Sequence, residues 1–84
     1  MIRVLYFAGL REQLGAQSEE LSPGTGTRDM AAIVSSLRSR GGVWSDVFGG
    51  QQPVMMALNQ EVAAPEDKVS DGDEVAFFPP VTGG

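Results

Sequence analysis

The residue types able to do chemistry gather at one end of this sequence. The chain closes on Pro79-Pro80-Val81-Thr82-Gly83-Gly84. Pro79 and Pro80 have no N–H and a fixed φ, so they stop any strand before them and launch a stiff extended segment. Four further residues reach roughly 13–14 Å. The last two have no side chain and fit a channel too narrow for any other residue. The tip is an α-carboxylate, ionised at neutral pH. Such a carboxylate attacks the α-phosphate of ATP when a partner binds the nucleotide and Mg²⁺. The product is an acyl-adenylate, a mixed anhydride that a sulfur donor converts to a thiocarboxylate. Gly84 is the candidate reacting residue. Chain ends also fray to no purpose, but a buried strand and two prolines ahead of the glycines point to use.

The remaining residues exclude more than they offer. The sequence has no Cys and no His. It therefore has no disulfide, thiolate nucleophile or sulfur ligand, and no imidazole base or ligand. Its glycines lack the G-x-x-x-x-G-K-[ST] order of a phosphate loop, so ATP and Mg²⁺ are expected on an activating enzyme and no cofactor on this chain. Asp71, Asp73 and Glu74 imitate a metal or acid–base cluster. However, Asp71-Gly72 is a turn signal, and Asp73 and Glu74 point to opposite faces once a strand begins. No metal site is expected there, and Lys68 reads as a surface charge.

The bulk composition sets the frame for that tail. At 84 residues, 42% hydrophobic and 20% charged, the chain makes one small globular domain. The net charge of −5 and the scattered Arg3, Arg11, Arg28, Arg38, Arg40 and Lys68 argue against nucleic acid. Glu66-Asp67 and Asp71 to Glu74 read as solvated surface; steering toward a basic partner is the functional alternative. The apolar opening, Val4 to Leu10, is short and runs into Arg11-Glu12, with no cleavage site after it. Nothing approaches the ~18 apolar residues of a membrane span. A cytoplasmic location is expected.

The elements follow from periodicity. Ile2 to Ala8 reads as a strand apolar on both faces, with Ile2, Val4 and Tyr6 on one and Arg3, Leu5 and Phe7 on the other. Gly9 to Gly15 reads as a short helical turn or loop, and Ser18 to Leu21 as a polar strand near an edge. Ser22 to Gly26 is a loop by composition. Thr27 is placed to cap the main helix, which runs to about Ser39 with Asp29 in its first turn. Met30, Ile33, Val34 and Leu37 form its apolar stripe, and Gly41-Gly42 ends it. Val43 to Phe48 adds a helical turn with Trp44 and Phe48 on one side. Val54 to Leu58 is a strand, Asn59-Gln60 turns it, and Glu61-Val62 begins a short return. Ala63 to Ser70 is irregular. Glu74 to Phe78 is the last strand, with Val75 and Phe77 opposite Ala76 and Phe78.

This order describes an α+β domain over residues 1–80, with a flexible tail at 81–84. One amphipathic helix covers only one face of a sheet. Leu5, Phe7 and Phe78 are therefore left over. Either the segments near 10–15 and 43–48 cover them, or they form a partner surface.

The run from Asp71 to Gly84, DGDEVAFFPPVTGG, resembles the C-terminus of the molybdopterin synthase small-subunit family, the sulfur carriers of molybdenum cofactor biosynthesis. Ile2 to Ala8 with Leu10-Arg11-Glu12 is similar to that family's start, and Leu58-Asn59-Gln60 to its central turn. The resemblance implies a ubiquitin-like β-grasp fold with a mixed sheet and one main helix on one face. It implies adenylylation and then thiocarboxylation of Gly84, with Val81, Thr82, Gly83 and Gly84 entering the synthase large subunit. There Gly84 would give its sulfur to cyclic pyranopterin monophosphate. Two large and two small subunits would form a heterotetramer, with catalysis on the large one. Phe7, Arg11, Val62 and Phe78 fall where the family meets its partners.

Other functions fit parts of this pattern. A carrier for thiamine or tRNA thiolation shares Gly-Gly, but the Phe-Pro-Pro-Val-Thr context disfavours it. A ubiquitin-like modifier would use the same adenylate and leave isopeptide adducts. A plain interaction module would survive deletion of Gly83-Gly84.

Overall fold

The computed structural model describes residues 1–80. The elements are β1 (Ile2–Tyr6), α1 (Ala8–Leu14), β2 (Ser18–Leu21), a 3-10 turn (Thr25–Thr27), α2 (Met30–Arg38), α3 (Val43–Phe48), β3 (Met55–Leu58), β4 (Glu61–Val62) and β5 (Glu74–Phe78). The sheet order is β2-β1-β5-β3-β4. β1 and β5 lie side by side in parallel, and every other pairing is antiparallel. This mixed sheet grasping a helix is the ubiquitin-like β-grasp.

Period-two alternation sorts the central strands. Ile2, Val4 and Tyr6 of β1 and Val75 and Phe77 of β5 are buried. Register sets Val4 beside Val75 and Tyr6 beside Phe77. Against them α2 lays Met30, Ile33 and Leu37, with Val34 half-buried at the margin. Leu10 and Leu14 of α1 and Val47 and Phe48 of α3 join the same core. Three helices thus share one face, where the sequence shows only one strong amphipathic stripe. α3 is held to the central strands by four aromatic rings that close a cycle. Tyr6 meets Trp44 edge-on at 5.5 Å, Trp44 stacks on Phe48 at 6.3 Å, Phe48 meets Phe77 edge-on at 5.1 Å, and Phe77 stacks on Tyr6 at 6.2 Å. Each such pair adds about 0.5–1.5 kcal/mol to simple burial.

Several boundaries differ from the sequence reading. β1 stops at Tyr6, and Phe7, still extended and bonded through its N–H to Phe77 O, is the N-cap of α1. The segment Ala8–Leu14 is a helix, entered through Ala8 at φ +53° and closed by Gly15 at φ +67°. The cap of α2 is Asp29 and not Thr27. Asp29 Oδ1 accepts the Ala32 N–H at 2.8 Å, while the Thr27 hydroxyl accepts the Gly24 N–H at 2.9 Å within the preceding turn. A carboxylate at the cap also meets the positive end of the helix dipole, so Asp29 wins over the hydroxyl two residues earlier. α2 ends at Arg38, and β3 begins at Met55.

Candidate functional site: the open face of the sheet

The helices leave the other face of the sheet uncovered. Along β1, β5 and β3 the residues between the core positions point there. Register joins them into rows. Leu5 pairs with Ala76, Ala76 with Ala57, and Ala57 with Val62, which carries one apolar row across four strands. In the next row Met55 pairs with Phe78. Leu5, Ala76, Ala57, Val62 and Phe78, together with Phe7 and Gln60, line a groove of about 300 Å³. Val62 is 73% exposed, Phe7 45% and Met55 36%. Side chains of this kind exposed together on one face mark an interaction surface.

The fate of the leftover apolar residues is thereby decided. α1 and α3 pack with α2 against the core, so they cannot cover Leu5, Phe7 and Phe78. Phe7, Val62 and Phe78 line the same groove. Arg11 does not line it. It borders an adjoining groove of about 330 Å³, which shares Leu5 and Phe7 with the first and also contains Arg3. Phe7 stands where the two meet, and its own N–H donates to Phe77 O at 3.1 Å. β5 delivers Phe78 to this end of the sheet, and Pro79-Pro80 follow it. Val81, Thr82, Gly83 and Gly84 lie outside the described residues.

The Asn59-Gln60 turn shapes one wall of the groove. Asn59 has φ +50° and Gln60 φ +71°. Two successive left-handed residues suit the right-handed twist of a tight hairpin. Asn tolerates that conformation through its short polar side chain. Here the carboxamide bonds outward: Nδ2 donates to Asp73 Oδ1 at 3.1 Å, and Oδ1 accepts the Glu74 N–H at 2.9 Å. The Asn59 N–H donates to Glu74 O at 2.8 Å. The hairpin is thus tied to the entry of β5, and Gln60 and Val62 are held over the open face.

The acidic run does not converge. Asp71 pairs with the Met1 amino group. Asp73 Oδ2 accepts the Ser70 N–H at 2.8 Å, which together with Asn59 holds its carboxyl below the usual range. Glu74 points to the open face. Among the described residues no group of three acidic side chains is placed to hold a metal ion.

One polar cluster escapes the sequence reading, which places Tyr6 in the core and leaves its hydroxyl without a partner. The Tyr6 hydroxyl donates to Glu19 Oε2 at 2.7 Å. Arg40 grips both oxygens of Glu19, at 2.8 and 2.6 Å, and lies over Trp44 at 4.4 Å. The Arg40 hydrogen bonds hold the Glu19 carboxyl low despite partial burial. Burial first, then Glu19, pushes the Tyr6 phenol far above its ordinary value. The cluster straps edge strand β2 to the start of α3 and seals one side of the aromatic cycle. The sequence signal is weak: only a Tyr in an apolar strand, whose buried hydroxyl requires some partner.

Among the described residues no helix is long and apolar enough to cross a membrane. The model of the ThiS family matches residues 4–84. A Haemophilus influenzae protein named molybdopterin synthase sulfur carrier subunit is 37% identical over 84 residues, with 100% of each chain covered. A Chlamydomonas reinhardtii protein of the same name is 41% identical over 87 residues, covering 99% of this chain and 98% of that one. The crystal structure of SAMP1 from Haloferax volcanii superposes with a TM-score of 0.76 at 28% identity, covering 99% of this chain and 98% of that one. With its β-grasp sheet, its open apolar face and this likeness from end to end, the chain belongs to the ThiS family, among the molybdopterin synthase sulfur carrier subunits.

Proposed function

We propose that this chain carries sulfur on Gly84 for molybdenum cofactor synthesis. The observation that carries the reading is one of placement. A strand flanked by an open apolar groove runs directly into two prolines and a Gly-Gly terminus. Partners can then grip the domain and receive the terminus in the same encounter.

The chemistry proceeds in two steps on an activating enzyme that holds ATP and Mg²⁺. A Gly84 carboxylate oxygen bonds to the α-phosphorus and pyrophosphate leaves. A sulfide-level donor then bonds to the carbonyl carbon, AMP leaves with the electron pair, and a thiocarboxylate remains. The synthase large subunit supplies the catalytic residues, and the sulfur passes to cyclic pyranopterin monophosphate. This chain is a non-catalytic subunit and binds no cofactor itself. Residues 1–80 form the docking domain and 81–84 the inserted tail. Phe7, Arg11, Val62 and Phe78 contact the partners. Two copies join two large subunits in the cytoplasm.

A second reading is a ubiquitin-like modifier, which would use the same adenylate to join lysines of other proteins; the solved structures similar to this chain include a small archaeal modifier protein. Intact mass separates the two. Incubation with ATP-Mg²⁺, the host's activating enzyme and a sulfur donor is expected to replace one oxygen by sulfur at Gly84. Deletion of Gly84 is expected to abolish the change. Isopeptide adducts in place of the thiocarboxylate would establish the modifier, and no change at all would leave an interaction module.

A further inference from the structure

Among the described residues three that are not glycine hold a positive φ: Ala8 at +53°, Asn59 at +50° and Gln60 at +71°. All three adjoin the open groove. Gln60 lines it, Asn59 precedes Gln60, and Ala8 follows Phe7, which lines it too. Strained backbone of this kind persists where the surroundings fix it, and it clusters at ligand clamps and binding sites. Asn59 and Gln60 sit in a tight hairpin that favours the conformation, and the Asn59 carboxamide is bonded to the start of β5. Ala8 has neither support. Its side chain is a single exposed methyl, with nothing to donate or accept.

The turn at Ala8 resolves a conflict of direction. Phe7 is extended and its N–H donates to Phe77 O at 3.1 Å, so strand alternation sends its side chain to the open face. Leu10, three residues on, lies in the core at 1% exposure. The Leu10 N–H donates to Phe7 O at 3.2 Å and closes the reversal. Ala8 is the first central residue of that turn and carries the positive φ, a place dominated by Gly, Asn and Asp. The glycine stands one position later. Gly9 is outside the positive-φ region, and a Cβ there would meet no atom within 4 Å. The sequence thus sets a methyl-bearing residue at the left-handed position and the permissive residue next to it. Glycine at position 8 would roam over both halves of φ, whereas a Cβ confines positive φ to one small left-handed well.

We propose that Ala8 is a positioning residue for docking: its confined left-handed turn fixes Phe7 over the groove before a partner arrives. Ala8 acts through Phe7, whose ring is 45% exposed where the two grooves meet. A ring already held in the free chain costs less to order on binding than one that swings. The proposal rests on the carrier reading above for the identity of the partner, the synthase large subunit.

Three replacements of Ala8 in the full chain test it, each read in two ways. Hydrogen exchange of the Phe7 and Leu10 amides reports the turn in the free protein. Titration calorimetry reports the Kd for the large subunit. Ala8→Asn keeps a residue that tolerates the conformation, and should hold exchange and Kd within about twofold of wild type. Ala8→Gly removes strain and confinement together. Its Tm should be no lower than that of wild type, while the Leu10 amide exchanges at least about threefold faster and the Kd rises by at least about threefold. Ala8→Val is β-branched and disfavours positive φ, and should change both by about tenfold or more. In a Phe7→Ala background none of the three should move the Kd by more than about twofold, because the effect passes through Phe7. A merely structural role would move Tm and Kd together and would persist without the Phe7 ring. Wild-type exchange and Kd in Ala8→Gly overturn the proposal, as does a further loss of affinity in the Phe7→Ala background. Should Ala8→Val fail to fold, the Gly and Asn variants decide alone. Wild type that neither binds the large subunit nor gains sulfur overturns the carrier reading instead, and amide exchange still decides whether Ala8 holds Phe7.

Discussion

The Asn59 carboxamide lies 3.1 Å from the Asp73 carboxylate and, through its oxygen, 2.9 Å from the Glu74 N–H. One side chain thereby joins the β3–β4 hairpin to the first residue of β5. The hairpin carries Gln60 and Val62, and β5 carries Ala76 and Phe78. Both walls of the groove are set by this contact.

Replacing Asn59 tests that role. Asn59→Ala loses the two side-chain bonds and puts a less tolerant residue at φ +50°. A cost of about 1–3 kcal/mol is expected, or a fall in Tm of roughly 4–8 °C for each kcal/mol. Asn59→Gly loses the same bonds without the backbone strain and should fall less. Thermal unfolding followed by circular dichroism reads both, and equal losses would show that the φ value contributes nothing.

Arg40 should matter more than its half-exposed position implies. Arg40→Met keeps the contact with Trp44 but leaves Glu19 with only the Tyr6 hydroxyl. Removing one partner of this partly exposed pair should cost about 1 kcal/mol, the low end for a charged hydrogen bond because solvent screens the open side. Tyr6→Phe should cost about 1 kcal/mol. The double variant should lose less than the sum, since both act on Glu19. Urea unfolding monitored by Trp44 fluorescence measures all three, and strict additivity would dissolve the cluster as a unit.

Acid should weaken the fold through Asp73 and Glu19. The folded carboxyl of Asp73 is held low by the Ser70 N–H and then Asn59, and that of Glu19 chiefly by Arg40. A depressed folded pKa gives stability that is complete above the unfolded value, about 4 for these side chains. It is lost as pH falls from there through the folded value. Urea midpoints should be level from pH 7 to about 5 and drop below about 4. Glu19→Gln should be less stable at pH 7 and show a shallower acid limb. A parallel profile would place the pH dependence elsewhere.

The open face should separate binding from stability. Val62 is 73% exposed, so Val62→Asp should change stability by no more than about 0.5 kcal/mol. Its charge should nonetheless disrupt an apolar interface and raise the Kd for the synthase large subunit by about tenfold or more. Phe7→Ala should act in the same direction. Titration calorimetry against the large subunit decides it, and wild-type affinity in both variants would remove this face from the interface.

The sequence alone determined the elements and offered Gly84 as the candidate reacting residue. Alternation in Ile2 to Tyr6 and Glu74 to Phe78, the stripe Met30-Ile33-Leu37 and the turn at Asn59-Gln60 are local patterns, set by the geometry of strand, helix and hairpin. The Pro-Pro brace and terminal glycines are equally local, because conformational restriction and the lack of a side chain belong to the residues themselves. Only the tertiary structure decided what meets across the chain. It placed α1 and α3 beside α2, which left Leu5, Phe7 and Phe78 open. It brought Val62 to them through β3 and β5, and it set Glu19 between Tyr6 and Arg40. The helix cap shows the same boundary at short range: Thr27 and Asp29 are both able caps, and the choice followed from where the preceding turn spent the Thr27 hydroxyl. Such pairings depend on sheet order and on which face each helix covers. Those are fixed by burying the whole core at once, which no single window of sequence contains.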